Sequence, residues 1–117
     1  MTSPEKAKGD AFEREVVAFL RAHGFPYAER SFGAGRRDDQ GDVLGLPGVV
    51  VQVKNHKRHA LSEWVEQAEE QRTRARASVG VVVAKRRGKP VGDAYVVITL
   101  AAFVDMLREV DRIEVPS

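Results

Sequence analysis

Three polar residues in the middle of the chain have types and spacing that suit chemistry on a phosphate group. Asp42 precedes a short turn, and Gln52 and Lys54 interrupt the valine run at 49–54. Alternate residues of an extended strand share a face, so Gln52 and Lys54 lie on one side, about 7 Å apart along the strand. The opposite side carries three residues predicted to pack into a helix-covered core: Val49, Val51 and Val53.

The turn before this valine run decides whether Asp42 meets Gln52. A glycine- and proline-rich turn joins two predicted strands, Asp42–Leu44 and Val49–Lys54. A hairpin centred on Pro47 places Asp42 directly opposite Gln52, because both residues are equally far from that centre. Directly opposed residues have Cβ atoms roughly 5 Å apart. The hairpin therefore predicts that a carboxylate, an amide oxygen and an ammonium group converge at one end.

Such a group of atoms is suited to a hard divalent cation. Asp42 offers a carboxylate of the kind that Mg²⁺ prefers, and the Gln52 side-chain oxygen and the Val53 carbonyl can complete the protein's share of ligands. Mn²⁺ is expected to substitute for Mg²⁺. Lys54 can hold or deprotonate an attacking water, or neutralise charge that builds on the phosphate. The pattern thus predicts metal-dependent phosphodiester hydrolysis, in which the metal polarises the phosphoryl oxygen and acidifies a water.

A glutamate far upstream points the same way. Glu13 lies on the same helical row as Val17 and Leu20, which follow it at i+4 and i+7. A carboxylate on such a row lies at the edge of the core, where it is costly without a cation or a donor nearby. A metal or a basic partner would account for its position.

Each of these residues also has an ordinary explanation when it is taken alone. Asp42 can be a turn residue, Gln52 and Lys54 can be polar residues of an edge strand, and Glu13 can pair with a neighbouring arginine. The predicted convergence of all four residues favours the catalytic interpretation over these separate ones.

Hydrophobic periodicity and capping signals predict the elements that must position these residues. A first helix starts after Ser3 and stops at Gly24, a second is capped by Ser62 and ends near Arg76, and a third is capped by Thr99. The strands are predicted at Tyr27–Arg30, Asp42–Leu44, Val49–Lys54, Val79–Ala84 and Ala94–Ile98. The order α-β-β-β-α-β-β-α implies one α/β domain over residues 1–117, with a mixed central sheet flanked by helices.

The same periodicity predicts which side chains face the core. The second helix is expected to bury Leu61, Trp64, Val65, Ala68 and Ala75, and Val79–Ala84 is expected to be central and buried on both faces. Two polar loops separate the elements: Ser31–Gly41, which is rich in glycine, and Lys85–Gly92, which is basic. The third helix carries Phe103, Val104 and Leu107 on one row.

Composition narrows the classes of function. The sequence has no cysteine, which excludes disulfides, thiolate catalysis and cysteine-ligated zinc. It contains no apolar run near the ~18 residues of a membrane span, and its first ten residues lack the apolar stretch of a signal peptide. We therefore expect a cytoplasmic protein.

Charge is unevenly distributed along the chain. The net charge is only +2, but basic residues concentrate at Arg36–Arg37, Lys54–His59 and Lys85–Lys89. A near-neutral total with local basic blocks suits a protein that meets phosphate on one face. Ordinary solvated loops and helix faces are the alternative explanation.

Three segments of the sequence together resemble a known nuclease family. Lys8–Val17 (KGDAFEREVV) is similar to the KGxxxERE(L/V) opening helix of the archaeal-type Holliday junction resolvases. His23-Gly24-Phe25 followed by Arg30 is similar to the GF…R segment of that family. Asp42 with Gln52-Val53-Lys54 resembles the D…(D/E)xK core of the PD-(D/E)XK nuclease superfamily. The resemblance covers roughly Lys8 to Arg58.

The resemblance implies a restriction-endonuclease-like core and a structure-selective, Mg²⁺-dependent endodeoxyribonuclease that cuts branched DNA, above all four-way junctions. Its catalytic residues would be Glu13, Asp42, Gln52 and Lys54. The metal would be held by Glu13, Asp42, Gln52 and Val53. Gln67 or Gln71, on the second helix, would play the supporting role that a glutamine has in relatives.

DNA is the expected partner, and a second copy of the chain is expected beside it. The resemblance assigns Arg14 and Arg30 to the phosphate backbone, and location adds a further set: Arg36, Arg37, Asn55, His56, Lys57, Arg58, Lys85, Arg86, Arg87 and Lys89. Junction cutting requires paired incisions, so two active sites on a two-fold homodimer make geometric sense.

Two positions depart from the family pattern. Gln52 stands where an acid is usual, which removes one negative charge from the metal site, and Gly41 stands where many members have proline. Two alternatives therefore remain open. The chain can be a nuclease of the same fold for flapped, nicked or single-stranded DNA, or a catalytically weak DNA-binding module.

Overall fold

The described part of the chain is an α/β unit in the order that the sequence predicts. The computed structural model describes residues 3–31 and 41–113, without the side chains of 111–113. The predicted loop between Ser31 and Gly41, with Arg36 and Arg37, lies mostly outside the described residues. The elements are α1 (Pro4–Ala22), β1 (Glu29–Arg30), β2 (Val43–Leu44), β3 (Val49–Lys54), α2 (Leu61–Ala75), β4 (Val79–Ala84), β5 (Tyr95–Val97) and α3 (Leu100–Ile113), with a 3-10 turn at Val91–Asp93.

The sheet is mixed, as predicted. Its five strands lie in the order β1-β2-β3-β4-β5, with β3 and β4 parallel and the other neighbours antiparallel. The predicted strands Tyr27–Arg30 and Ala94–Ile98 are shorter in the structure, since they lie at the two edges of the sheet. β4 pairs on both sides, and its buried residues alternate with half-buried ones.

Helix α1 begins with a well-formed N-terminal cap. The Ser3 hydroxyl accepts a hydrogen bond from the Lys6 N–H at 3.1 Å, and Pro4 occupies the first turn, where its missing N–H costs nothing. Phe12, Val16 and Val17 are buried in one cluster with valines of β3. The predicted capping residue is confirmed, and α1 covers one face of the sheet.

Helix α2 covers the other face and corrects part of the sequence prediction. Trp64 and Ala68 are buried as predicted, together with Val82 in a second core cluster. The helix begins at Leu61 without a side-chain cap, so the prediction that Ser62 caps it is wrong. Leu61 and Ala75 are exposed rather than buried, because the sheet covers the middle turns of the helix and leaves both ends in solvent.

The hairpin register follows the prediction from the turn back to Val43, the first residue of β2. Val43 pairs with Val51, the register of a turn centred on residue 47. Gly45 makes the turn possible, since it has a φ of +88° and a Cβ there would lie 1.9 Å from the Tyr27 carbonyl oxygen. The ladder stops before Asp42 and Gln52 can pair, because the Asp42 N–H donates to the Val51 carbonyl at 2.7 Å.

Helix α3 leaves its apolar row exposed. The Thr99 hydroxyl caps it as predicted, accepting from the Ala102 N–H at 3.1 Å. Of the α3 side chains that the structure describes, Ala102 alone is buried. The exposed row consists of Leu100, Phe103, Val104, Leu107 and Val110. Within residues 3–31 and 41–113, no helix is long and apolar enough to cross a membrane.

Candidate functional site

Four residues predicted from the sequence lie around one pocket. A depression of about 400 Å³ between α1 and the end of β3 is lined by Glu13, Asp42, Gln52 and Lys54, together with Val53. They come from α1, from the residue before β2 and from β3, so the folded sheet is what brings them together. Their catalytic and metal-binding roles stay predictions.

The Asp42 carboxylate is fixed against the backbone of β3. Its Oδ2 accepts a hydrogen bond from the Val53 N–H at 2.7 Å. The N–H and C=O of one strand residue point to the same side of the strand, so the Val53 carbonyl faces Asp42 as well. The next carbonyl, that of Lys54, is used on the other side, where it accepts from the Lys85 N–H at 2.9 Å.

Two glutamines of α2 hold the two polar residues of β3. Gln71 accepts a hydrogen bond from Gln52 Nε2, and Gln67 accepts one from Lys54 Nζ at 3.2 Å. Both contacts can form together because Gln67 and Gln71 are about 6 Å apart along the helix axis, and Gln52 and Lys54 are about 6.6 Å apart along the strand. The sequence left open which glutamine supports the site, and the structure places both in contact with it.

The contact with Gln71 determines which atom Gln52 offers to the pocket. Gln52 and Gln71 are both buried, at 6 % and 7 % exposure. Since the Gln52 amide nitrogen is turned to Gln71, its side-chain oxygen is the atom suited to a cation. A buried amide without such a partner would be costly, so α2 also stabilises this orientation.

Glu13 is the electrostatically strained member of the group. Burial raises the pKa of its carboxyl above the ordinary value, and the neighbouring charge of Asp42 raises it further. Arg30 opposes this shift, since its Nε donates to Glu13 Oε1 at 3.2 Å while another guanidinium nitrogen lies 3.0 Å from Asp10 Oδ1. A cation between Glu13 and Asp42 would relieve their repulsion.

The oxygen atoms around the pocket fit a hard divalent cation, and only two of the groups that carry them are negatively charged. Two carboxylates, one amide oxygen and one backbone carbonyl are all oxygen ligands, which Mg²⁺ prefers. Among the described residues, no three His, Cys, Asp or Glu side chains are grouped to hold a metal ion. The site would therefore rely on Gln52 and Val53 to complete the protein's share of ligands.

The basic residues predicted to bind DNA divide into those at the site and those away from it. Asn55, His56 and Lys57 line the pocket itself. An adjoining cleft is lined by four more of the predicted residues: Lys85, Arg86, Arg87 and Lys89.

Three described residues that were predicted to contact DNA line neither the pocket nor the cleft. Arg14 and Arg58 are exposed and line neither the pocket nor the cleft. Arg30 is engaged with Glu13 and Asp10, and its predicted contact to phosphate stays a prediction. Arg36 and Arg37 lie outside the described residues.

Sequence reasoning missed several residues of this region. Lys8 lines both the pocket and the cleft, and its carbonyl accepts from Asn55 Nδ2 at 3.3 Å. Its place one and a half turns before Glu13 was the available signal. Glu70 and Arg74 of α2 border Asp42 and Gln52 on the opposite side, and they follow the supporting glutamines at i+3.

Comparison of the chain with protein-family models, with curated proteins and with solved structures gives no significant match. The assignment of function therefore depends on the residues and geometry described above.

Replacing Glu13 by glutamine tests the electrostatics of the pocket. Glu13→Gln is expected to raise the thermal unfolding midpoint at neutral pH without metal, because it removes a half-buried charge beside Asp42. A raised folded-state pKa means that the native state of the wild type gains stability as the pH falls. The advantage of the variant should therefore shrink towards about pH 5, as followed by circular dichroism melts.

Glu15→Gln is the matched control, since Glu15 is exposed on the same helix. Added Mg²⁺ should raise the melting point of the wild type more than that of Glu13→Gln, since a ligand stabilises the state that binds it. A Glu13→Gln variant that melts below the wild type at neutral pH would contradict this account.

Proposed function

We propose that the chain is a Mg²⁺-dependent endodeoxyribonuclease of the PD-(D/E)XK kind that cuts branched DNA, most closely a Holliday junction resolvase. The observation that carries the proposal is the arrangement of Glu13, Asp42, Gln52 and Lys54 around one pocket. Glu13 lies far before the Asp42–Lys54 hairpin in sequence, and an ordinary structural role for each residue would not require that all four line one pocket.

The chemistry follows from the position of each donor. Glu13, Asp42, the Gln52 oxygen and the Val53 carbonyl would hold the cation. When bound, Mg²⁺ supplies a Lewis acid for the phosphodiester and lowers the pKa of its water. Lys54 donates a hydrogen bond to Gln67 that orients its side chain, so its ammonium can hold the attacking water or neutralise charge on the phosphate.

The surroundings of the pocket suit a polyanion. Asn55, His56 and Lys57 follow β3 directly and line the pocket, so a DNA strand that reaches the acids passes these groups first. Contacts of this type fix the backbone without reading the bases. That property agrees with selection of DNA by its shape rather than by its sequence.

Two alternative functions remain open. The same fold can serve on flapped, nicked or single-stranded DNA, and a catalytically weak DNA-binding module is favoured by one specific observation, the neutral Gln52 in place of an acid. Incubation with four-way, flap and linear DNA in Mg²⁺, Mn²⁺ or EDTA separates the three. Metal-dependent cutting of the four-way substrate supports the proposal, and binding without cutting in either metal supports the module.

Two copies are part of the proposal, because junction resolution needs paired incisions. The exposed row of α3 is the surface that would join them. An isolated helix of its length is marginal in water, and its apolar residues recur at i, i+3, i+4, i+7 and i+10, the stripe that packs against a second helix. Around a two-fold axis this row meets itself.

Asp42→Asn tests the catalytic assignment. Asparagine keeps an oxygen that can accept from the Val53 N–H, so folding and DNA binding should be preserved. The loss of a metal-binding carboxylate should lower the cleavage rate roughly 10²-fold or more. Single-turnover cleavage of labelled branched DNA measures the effect, with Asp93→Asn as a control outside the pocket. Full activity of Asp42→Asn would refute the site.

Substitutions of Gln52 test whether its oxygen is a ligand. Gln52→Glu adds a negative charge beside the cation, and Gln71 can turn its amide to donate to it, so the Mg²⁺ midpoint for cleavage should fall by roughly tenfold, equivalent to about 1.4 kcal/mol. Gln52→Ala should need more metal and cut more slowly. Metal titrations measure both variants, and an unchanged midpoint in the pair would remove Gln52 from the ligand set.

Leu107→Glu tests the α3 interface. A charge on the apolar row should convert a dimer to a monomer, because an unpaired buried charge is costly. Ala101→Glu places the same charge on the polar row of the helix, with Asp105 and Arg108, and should leave the dimer intact. Light scattering after size-exclusion chromatography gives the mass. A wild type that stays monomeric at all concentrations would contradict the dimer.

A further inference from the structure

A second concave surface adjoins the proposed active site. It is a cleft of about 490 Å³ between the end of β3, the loop after β4 and the start of β5. Four residues line both the cleft and the active-site pocket: Lys8, Asn55, His56 and Lys57. A strand of DNA that enters one can therefore continue into the other.

The charge of the cleft is of one sign. Its lining includes Lys85, Arg86, Arg87 and Lys89, and no acidic residue of the described chain lines it. Such a surface attracts phosphate. Charge alone, however, would serve a duplex and a single strand equally well.

An exposed aromatic ring in the cleft favours single-stranded over duplex DNA. Tyr95, the first residue of β5, is 48 % exposed. The Arg86 guanidinium lies 4.8 Å from the centre of its ring, and the His59 ring meets it edge-on at 6.2 Å. His59 in turn lies 5.7 Å from the buried Trp64, so the exposed ring is supported from the core.

Flat rings beside cations recognise bases that have left a duplex. In a duplex the faces of each base are covered by its neighbours, so only an unpaired base offers a face to a ring or a guanidinium plane. The pair of Tyr95 and Arg86 offers both kinds of surface, and the lysines that line the same cleft would attract the flanking phosphates. The cleft volume is also within the range of sites that take a small organic group.

We propose that this cleft binds an unpaired nucleotide next to the bond that is cut, with its base stacked on Tyr95 and Arg86. The inference rests on the proposed nuclease function and deepens it. The substrate would be branched DNA with a single-stranded or melted segment at the branch, and a continuous duplex would lack this contact.

The experiment compares two DNA ligands and three variants in EDTA, where cleavage does not occur. Fluorescence anisotropy measures the affinity for a blunt duplex and for the same duplex with a single-stranded arm. Tyr95→Ala should weaken binding of the armed DNA at least fivefold and of the blunt duplex less than twofold. Tyr95→Phe keeps the ring and should bind as the wild type does. Tyr27→Ala is the control, since Tyr27 is 82 % exposed and lines neither surface.

A second readout locates the base. The fluorescence of 2-aminopurine in the arm next to the branch should be quenched by the wild type and by Tyr95→Phe, and not by Tyr95→Ala. Equal loss of affinity for both DNAs in Tyr95→Ala, or no loss for either, would overturn the inference.

The two proposals fail separately. If the wild type cuts no DNA with any metal while the selective loss in Tyr95→Ala persists, the nuclease function fails and the nucleotide site stands. If the wild type cuts branched DNA and Tyr95→Ala binds the armed DNA normally, the nucleotide site fails and the nuclease function stands.

Discussion

The hydrogen bond from the Val53 N–H to the Asp42 carboxylate is the interaction on which the site depends. It lies next to the Val43–Val51 pair of the β2–β3 ladder and ties a carboxylate to the strand that carries the amide and the lysine. The Asp42 backbone is held separately, by hydrogen bonds to the Val51 carbonyl and from the Ser31 N–H, so this bond fixes the position of the carboxylate relative to Gln52. The bond also satisfies a strand N–H that the interrupted ladder would leave unpaired.

The second constraint on the site is the repulsion between the Glu13 and Asp42 carboxylates. Burial and the neighbouring charge of Asp42 raise the pKa of Glu13, and Arg30 compensates only in part. Carboxylates held together in this way repel each other, and a cation between them would relieve the repulsion. Arg30 contacts the acids Glu13 and Asp10, and its predicted contact to phosphate stays a prediction.

The sequence predicted element types and the β3 face well because local signals determine them: the Ser3 and Thr99 caps, the valine run and the turn around Gly45. It failed for Leu61 and Ala75, whose burial depends on how far the sheet extends beneath α2. The pairing of Gln67 with Lys54 and of Gln71 with Gln52 was equally out of reach, since it depends on the docking of a helix on a strand. Tyr95 gave no sequence signal beyond its place after a basic loop.

The neutral amide pair of Gln52 and Gln71 lowers the number of negative charges at the site. Gln52 and Gln71 satisfy each other in a buried position, whereas a glutamate at position 52 would add a third carboxylate beside Glu13 and Asp42. The fold therefore carries less electrostatic repulsion than it would with Glu at position 52, and in the proposed function fewer charges would hold the cation. Mg²⁺ commonly binds through one or two carboxylates together with phosphate oxygens of the substrate. In the proposed function, DNA phosphate supplies the missing negative charge, so metal and DNA bind cooperatively.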